Sequence, residues 1–133
     1  APGAAAEPPV AGAARVLVVD DDELLREQLA MVLERLGHSV IMAENGRAGL
    51  EAAERDAPDL VITDLSMPGM DGFELLRQVH AARPGLPVVL ITGYPETIKR
   101  LPAQAAGSPR VFTKPFRGAE LLAAISEALR PAP

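Results

Sequence analysis

Among the 133 residues there is no cysteine, which excludes disulfides and thiolate metal sites alike. That absence suits a reducing compartment, and the cytoplasm is the expected location. Apolar stretches such as "VVLI" at 88–91 fall far short of the roughly 20 residues that a membrane-spanning helix needs. The N-terminus carries no basic region of the kind that opens a signal segment. A phosphate-binding loop of the form G-x-x-x-x-G-K-[ST] is also missing, so ATP binding is unsupported. So is any clustered stripe of Lys and Arg, which leaves a nucleic acid little to bind. No direct nucleic-acid or membrane partner is therefore expected, and no internal repeat is visible.

What is present is acid, unevenly placed. Residues 1–66 carry thirteen acids against five bases, and residues 67–133 carry five acids against eight bases. The halves thus have net charges of −8 and +3, within a total of −5. Any one glutamate taken alone reads as part of a solvated face. An acidic half as a whole makes a divalent cation a natural partner.

Residues 1–14, "APGAAAEPPVAGAA", are Ala/Pro/Gly with one charge and no apolar period, and read as a flexible linker or tail. Residues 131–133 read as a second tail, leaving one domain over 15–130, a common single-domain size. Inside it, five short runs rich in β-branched residues are bounded by Gly, Pro or Asp: "RVLVVD" (15–20), "SVIMA" (39–43), "DLVITD" (59–64), "PVVLIT" (87–92) and "RVFTK" (110–114). Their apolarity is unbroken, as in parallel strands covered on both faces. Between them lie segments of helical spacing. Leu25, Leu29, Val32, Leu33 and Leu36 recur on one helical stripe, with Gly37 where a left-handed cap is expected. Residues 47–56, 73–82 and 118–130 are amphipathic as well, and the last is expected to bury Leu121, Leu122, Ile125 and Leu129. Residues 95–106 fit a helix less well, because Pro102 removes a backbone donor. Strand and helix alternate throughout, which selects an α/β fold: one doubly wound, five-stranded parallel sheet flanked by helices.

Ligands of such sheets bind beyond the carboxyl ends of the strands, at the topological switch point. The first strand ends in Asp20, Asp21 and Asp22, the third in Asp64, the fourth in Thr92 and the fifth in Lys114. Singly, each has a plain reading: Asp22 caps a helix, Thr92 opens a turn, Lys114 is a surface lysine. Together they would crowd four carboxylates and one lysine at a single sheet edge, which is costly unless something compensates. Clustered carboxylates either take up protons or bind a hard cation through oxygen. Asp21, Asp64 and a nearby main-chain carbonyl make a partial shell for Mg²⁺, with Lys114 left to meet an anion. A carboxylate, Mg²⁺, an ammonium and a hydroxyl suit phosphoryl transfer, with Asp64 as nucleophile.

Four blocks, "VLVVDDD" (16–22), "DLVITDLSMPGMDG" (59–72), "VVLITG" (88–93) and "TKPF" (113–116), resemble the receiver domain of two-component response regulators. The resemblance covers residues 15–130 and implies a flavodoxin-like sheet acting as a phosphoacceptor rather than a turnover enzyme. Asp64 matches the phosphoacceptor, Asp20 and Asp21 the acidic pair that holds Mg²⁺, and Ser66 the residue whose main-chain carbonyl completes the protein ligands. Thr92 matches the hydroxyl that bonds the attached phosphoryl group, and Lys114 the lysine that pairs with a phosphoryl oxygen. The implied donor is a histidine kinase or a histidine phosphotransfer domain. The implied output is a change in the surface formed by the fourth and fifth strand–helix units, which can also serve for dimerisation. The style of the motifs is similar to receivers at the C-termini of hybrid sensor histidine kinases.

Two other readings compete. A haloacid-dehalogenase-like phosphohydrolase also uses a strand-end Asp and Mg²⁺, but it needs a general acid two residues after the nucleophile, where this chain has Ser66. A receiver-like interaction module would signal without phosphorylation. The chain also departs from the family pattern: Val111 stands where an aromatic residue is usual, three positions before Lys114. Activation is then expected to work through ordering of residues 93–108 rather than an aromatic rotamer change. His80 is expected on a solvated helix face, and Gly69 and Gly72 are expected to supply backbone freedom after Asp64.

Overall fold

The computed structural model describes residues 14–65, 69, 72–93, 110–113 and 118–129. Five strands, β1 (Arg15–Val19), β2 (Ser39–Ala43), β3 (Leu60–Asp64), β4 (Val88–Thr92) and β5 (Arg110–Thr113), form one sheet in the order β2-β1-β3-β4-β5. Every pairing is parallel. The described helices are α1 (Glu23–Arg35), α2 (Gly46–Asp56), α3 (Gly72–Ala82) and α4 (Gly118–Ala128). From β1 the chain passes to β2 on one side and then to β3 on the other, so the switch point falls between β1 and β3. The segment 95–106 and the tails 1–13 and 131–133 lie outside the described residues.

Both faces of the sheet are covered, as the unbroken apolar strands require. Leu17, Val19, Val61, Val88 and Leu90 face α2 and α3, meeting Ala52, Ala53, Leu75, Leu76 and Val79. Val16, Val18, Leu60, Ile62, Val89 and Ile91 face the other way, against Leu29 and Leu33 of α1 and Leu121 and Ile125 of α4. Each such side chain, buried fully, contributes about 1.5–3 kcal/mol, so the central strands anchor the fold. Val111 and Phe112 point to opposite faces, Val111 toward α2 and α3 and Phe112 toward α1 and α4.

Helix boundaries follow local chemistry. The Asp22 side chain accepts from the Leu25 N–H and caps α1, and Asn45 caps α2 through the Ala48 N–H. At the end of α1, Gly37 has φ 95°. The Gly37 N–H donates to the Glu34 carbonyl and the His38 N–H to the Leu33 carbonyl. Those two bonds make the left-handed stop expected at Gly37. α2 ends at Ala57 with φ 46°, a conformation in which a side chain is disfavoured.

Three expectations need correction. On α1 only Leu29 and Leu33 of the apolar stripe are buried; Val32 is 37% and Leu36 42% exposed. Periodicity places residues on one side of a helix but does not say how far the neighbouring elements spread over it. Leu122 on α4 and Leu129 just past its end are only partly buried, for the same reason. His80 is half-buried rather than fully solvated.

Candidate functional site

The acids collect at the switch point. β1 ends at Val19, and the Asp20 N–H still donates to the Ala43 carbonyl at 3.1 Å, prolonging the ladder by one residue. The pair Val19–Thr63 is in register, so Asp20 and Asp64 follow side by side. Both are buried, at 1% and 5% exposure, whereas Asp21 is exposed. One carboxylate oxygen from each of Asp20, Asp21 and Asp64 lies within 4.8 Å of the others.

Local bonds hold these side chains in place. Asp20 Oδ1 accepts the Asp22 N–H at 2.8 Å, which tightens the turn into α1. The Arg26 guanidinium, one turn into α1, donates through Nη1 to the main-chain carbonyl of Asp20 at 2.6 Å. Thr63 is fully buried, and its hydroxyl donates to the Asp64 carbonyl at 3.1 Å. Asp64 pairs with Ile91 across the sheet, and the Leu65 N–H donates to the Ile91 carbonyl at 2.8 Å. Thr92, the next residue of β4, is fully buried beside this end of β3. Thr92 pairs in turn with Thr113, the last described residue before Lys114. The structure therefore brings Asp20, Asp21, Asp64 and Thr92 to one sheet edge. Ser66 and Lys114 lie outside the described residues.

Two features of the site were not read from the sequence. Gly69 has φ 77°, as its expected freedom implies. Gly72 is constrained differently: a Cβ there would stand 2.4 Å from the Asp64 carbonyl oxygen and 2.7 Å from the Leu65 Cα. Its N–H also donates to the Leu65 carbonyl. Gly72 is needed because α3 begins against the backbone of Asp64, and only the folded chain shows that contact. Arg26 is the second. Its one sequence signal was that it is the lone base among residues 20–34, a stretch that holds six acids.

Two carboxylates at about 4 Å repel by about 4 kcal/mol even at an effective dielectric constant of 20. Three oxygen ligands converging from two strand ends fit a hard divalent cation, which would remove that repulsion. Among the described residues no helix is long and apolar enough to cross a membrane.

Known proteins share this sequence pattern and fold. Residues 16–126 match the response regulator receiver domain family. The chain is 39% identical over 116 residues to the response regulator MprA of Mycolicibacterium vanbaalenii, covering 87% of this chain and 50% of that protein. It is 40% identical over 110 residues to the response regulator protein FleR of Pseudomonas aeruginosa, covering 83% of this chain and 23% of that one. The chain thus spans about half the length of MprA and less of FleR. Among solved structures, the response regulator TrrA of Thermotoga maritima, in complex with Mg²⁺ and BeF, superposes with a TM-score of 0.79 at 32% identity, covering 86% of this chain and 98% of that one. A receiver domain protein of Clostridium thermocellum gives 0.80 at 29% identity, over 87% and 94% of the two chains. The matched family covers most of the chain, the solved receivers share its flavodoxin-like sheet, and the chain belongs to the response regulator receiver domain family.

Proposed function

We propose that the domain accepts a phosphoryl group from a phosphohistidine onto Asp64, with Mg²⁺ held by Asp20, Asp21, Asp64 and the main-chain carbonyl of Ser66. The convergence of the three carboxylates at the ends of adjacent strands carries this reading. A bound Mg²⁺ would supply positive charge to the phosphoryl oxygens during transfer. The Asp64 carboxylate oxygen forms the new bond to phosphorus as the phosphorus–nitrogen bond of the donor breaks, and the electron pair of that bond stays on the imidazole. Burial of Asp64 in a rigid strand end fixes the direction of attack. Thr92 donates its hydroxyl to the attached group, and Lys114 pairs with a phosphoryl oxygen. That TrrA, a structural relative, is in complex with Mg²⁺ and BeF supports this reading.

A histidine kinase or a histidine phosphotransfer domain in the cytoplasm is the donor, and the fourth and fifth strand–helix units carry the output. In a longer protein the domain would act as a switch for the remainder. Incubation with acetyl phosphate and Mg²⁺, followed by intact mass, tests the reading. One added phosphate per chain is expected. Turnover of acetyl phosphate with no adduct would mark a phosphohydrolase, and neither adduct nor turnover would mark a module that works unphosphorylated.

A further inference from the structure

We infer that Arg26 is a positioning residue of the acidic site, holding the β1–α1 turn in the shape that presents Asp20 and Asp21 to the cation; this rests on the metal reading above. The placement of Arg26 is unfavourable by local rules. It lies in the N-terminal part of α1, after the cap Asp22 and the first-turn acid Glu23, where the helix dipole favours acids and disfavours a cation by about 0.3–1 kcal/mol. Among the described residues it forms no ion pair. The residue is half-buried, and its guanidinium donates to the main-chain oxygen of Asp20 at 2.6 Å.

That bond completes a set of restraints on one residue. The Asp20 N–H is tied to Ala43 on β2, the side-chain Oδ1 to the Asp22 N–H, and the carbonyl to Arg26 on α1. The Asp22 side chain then fixes the first turn of α1 through the Leu25 N–H. The peptide joining Asp20 to Asp21 therefore has its oxygen held by a charged donor. Charge-assisted bonds of this kind are roughly twice as strong as neutral ones. Rotation of that peptide would swing Asp21, the exposed member of the cluster, out of reach of the other two.

Charge and position predict opposite outcomes when Arg26 is altered. Removal of a positive charge bonded to the backbone of Asp20, a member of the acidic cluster, should, by Coulomb repulsion of the cation alone, tighten Mg²⁺ binding. Loss of a partner behind the metal ligands should weaken it, typically by 10–100-fold. Mg²⁺ titration by calorimetry on the wild type, Arg26→Met and Arg26→Lys separates the two. The positioning role predicts at least roughly 10-fold weaker Mg²⁺ binding in Arg26→Met, recovery in Arg26→Lys, whose ammonium can reach the same carbonyl, and little change in Tm without Mg²⁺. Arg26→Gln, too short to reach the carbonyl, replaces the Met variant if that fails to fold. Unchanged or tighter Mg²⁺ binding in the shortened or apolar variant overturns the inference. A fall in Tm without loss of affinity reduces Arg26 to a structural residue and overturns it equally. Failure of the wild type itself to bind Mg²⁺ overturns the metal reading, and this inference with it.

Discussion

Asp20 and Asp64 stand one step beyond the in-register pair Val19–Thr63, on adjacent parallel strands, and both are buried. Two carboxylates so placed repel each other, and a bound cation relieves that repulsion only in the folded state. Mg²⁺ should therefore raise Tm, by an amount equivalent to about 2.7 kcal/mol when its concentration is 100 times Kd. Asp21→Ala should blunt the response. A wild-type melting curve indifferent to millimolar Mg²⁺ would remove the metal from the site.

Asp64→Asn should fold with a Tm at least equal to that of the wild type in Mg²⁺-free buffer, since it removes one of three crowded charges. Labelling by acetyl phosphate should fall from one phosphate per chain to none. Phosphate retained on the Asn variant would place the acceptor elsewhere.

Gly72→Ala drives a methyl group into the Asp64 carbonyl and the Leu65 Cα. The expected cost is about 1–3 kcal/mol, typical of overpacking a close contact. Because the displaced backbone is that of Asp64, the rate of labelling should fall too. Urea denaturation and the acetyl phosphate assay measure the two effects, and a variant of wild-type stability would refute the contact.

Ala57→Gly acts in the opposite direction. The φ of 46° at the α2 cap costs a side chain about 1–2 kcal/mol, more than the entropy glycine adds to the unfolded chain, about 0.5–1 kcal/mol. A stability gain of about 0.5 kcal/mol is expected in urea titrations.

His38 supplies a pH dependence. The residue is 8% exposed, and its Nδ1 accepts the Ala14 N–H at 3.0 Å. Burial lowers its pKa below 6.5. The neutral ring is thus favoured in the folded state, and the unfolded chain binds the proton more readily. Stability from this group is complete above pH 6.5 and is lost as pH falls below that value toward the folded pKa. The difference in urea midpoint between wild type and His38→Gln should therefore change between pH 7.5 and about 5.5, with the wild type losing more stability on acidification.

Much of this was legible in advance, for reasons that differ by element. The strands announced themselves because a parallel strand is buried on both sides and has no polar alternation to blur it. Gly37 was readable because a cap depends on a few adjacent residues. The acids were readable because Asp is a poor strand former and four strand ends carried polar residues at once. By contrast, the extent of coverage over Val32 and Leu36, the pressure on Gly72 and the bond from Arg26 to Asp20 depend on which segments meet in space. The left-handed Ala57 gave no signal, since alanine is an ordinary helix residue. Ser66, Lys114 and, Gly93 apart, the residues 93–108 whose ordering was expected lie outside the described residues, so acetyl phosphate labelling of Lys114→Ala, expected to fold but to respond poorly, is the direct check on that side of the site.

The all-parallel sheet has a further consequence. Every strand runs toward the acidic edge and every described helix returns from it, so Ala14, which leads into β1, and Leu129, just past α4, both lie at the opposite pole. The acidic cluster is at one end of the molecule and these two residues are at the other. A chain continuing from either of these two residues would leave the fold far from Asp20, Asp21 and Asp64.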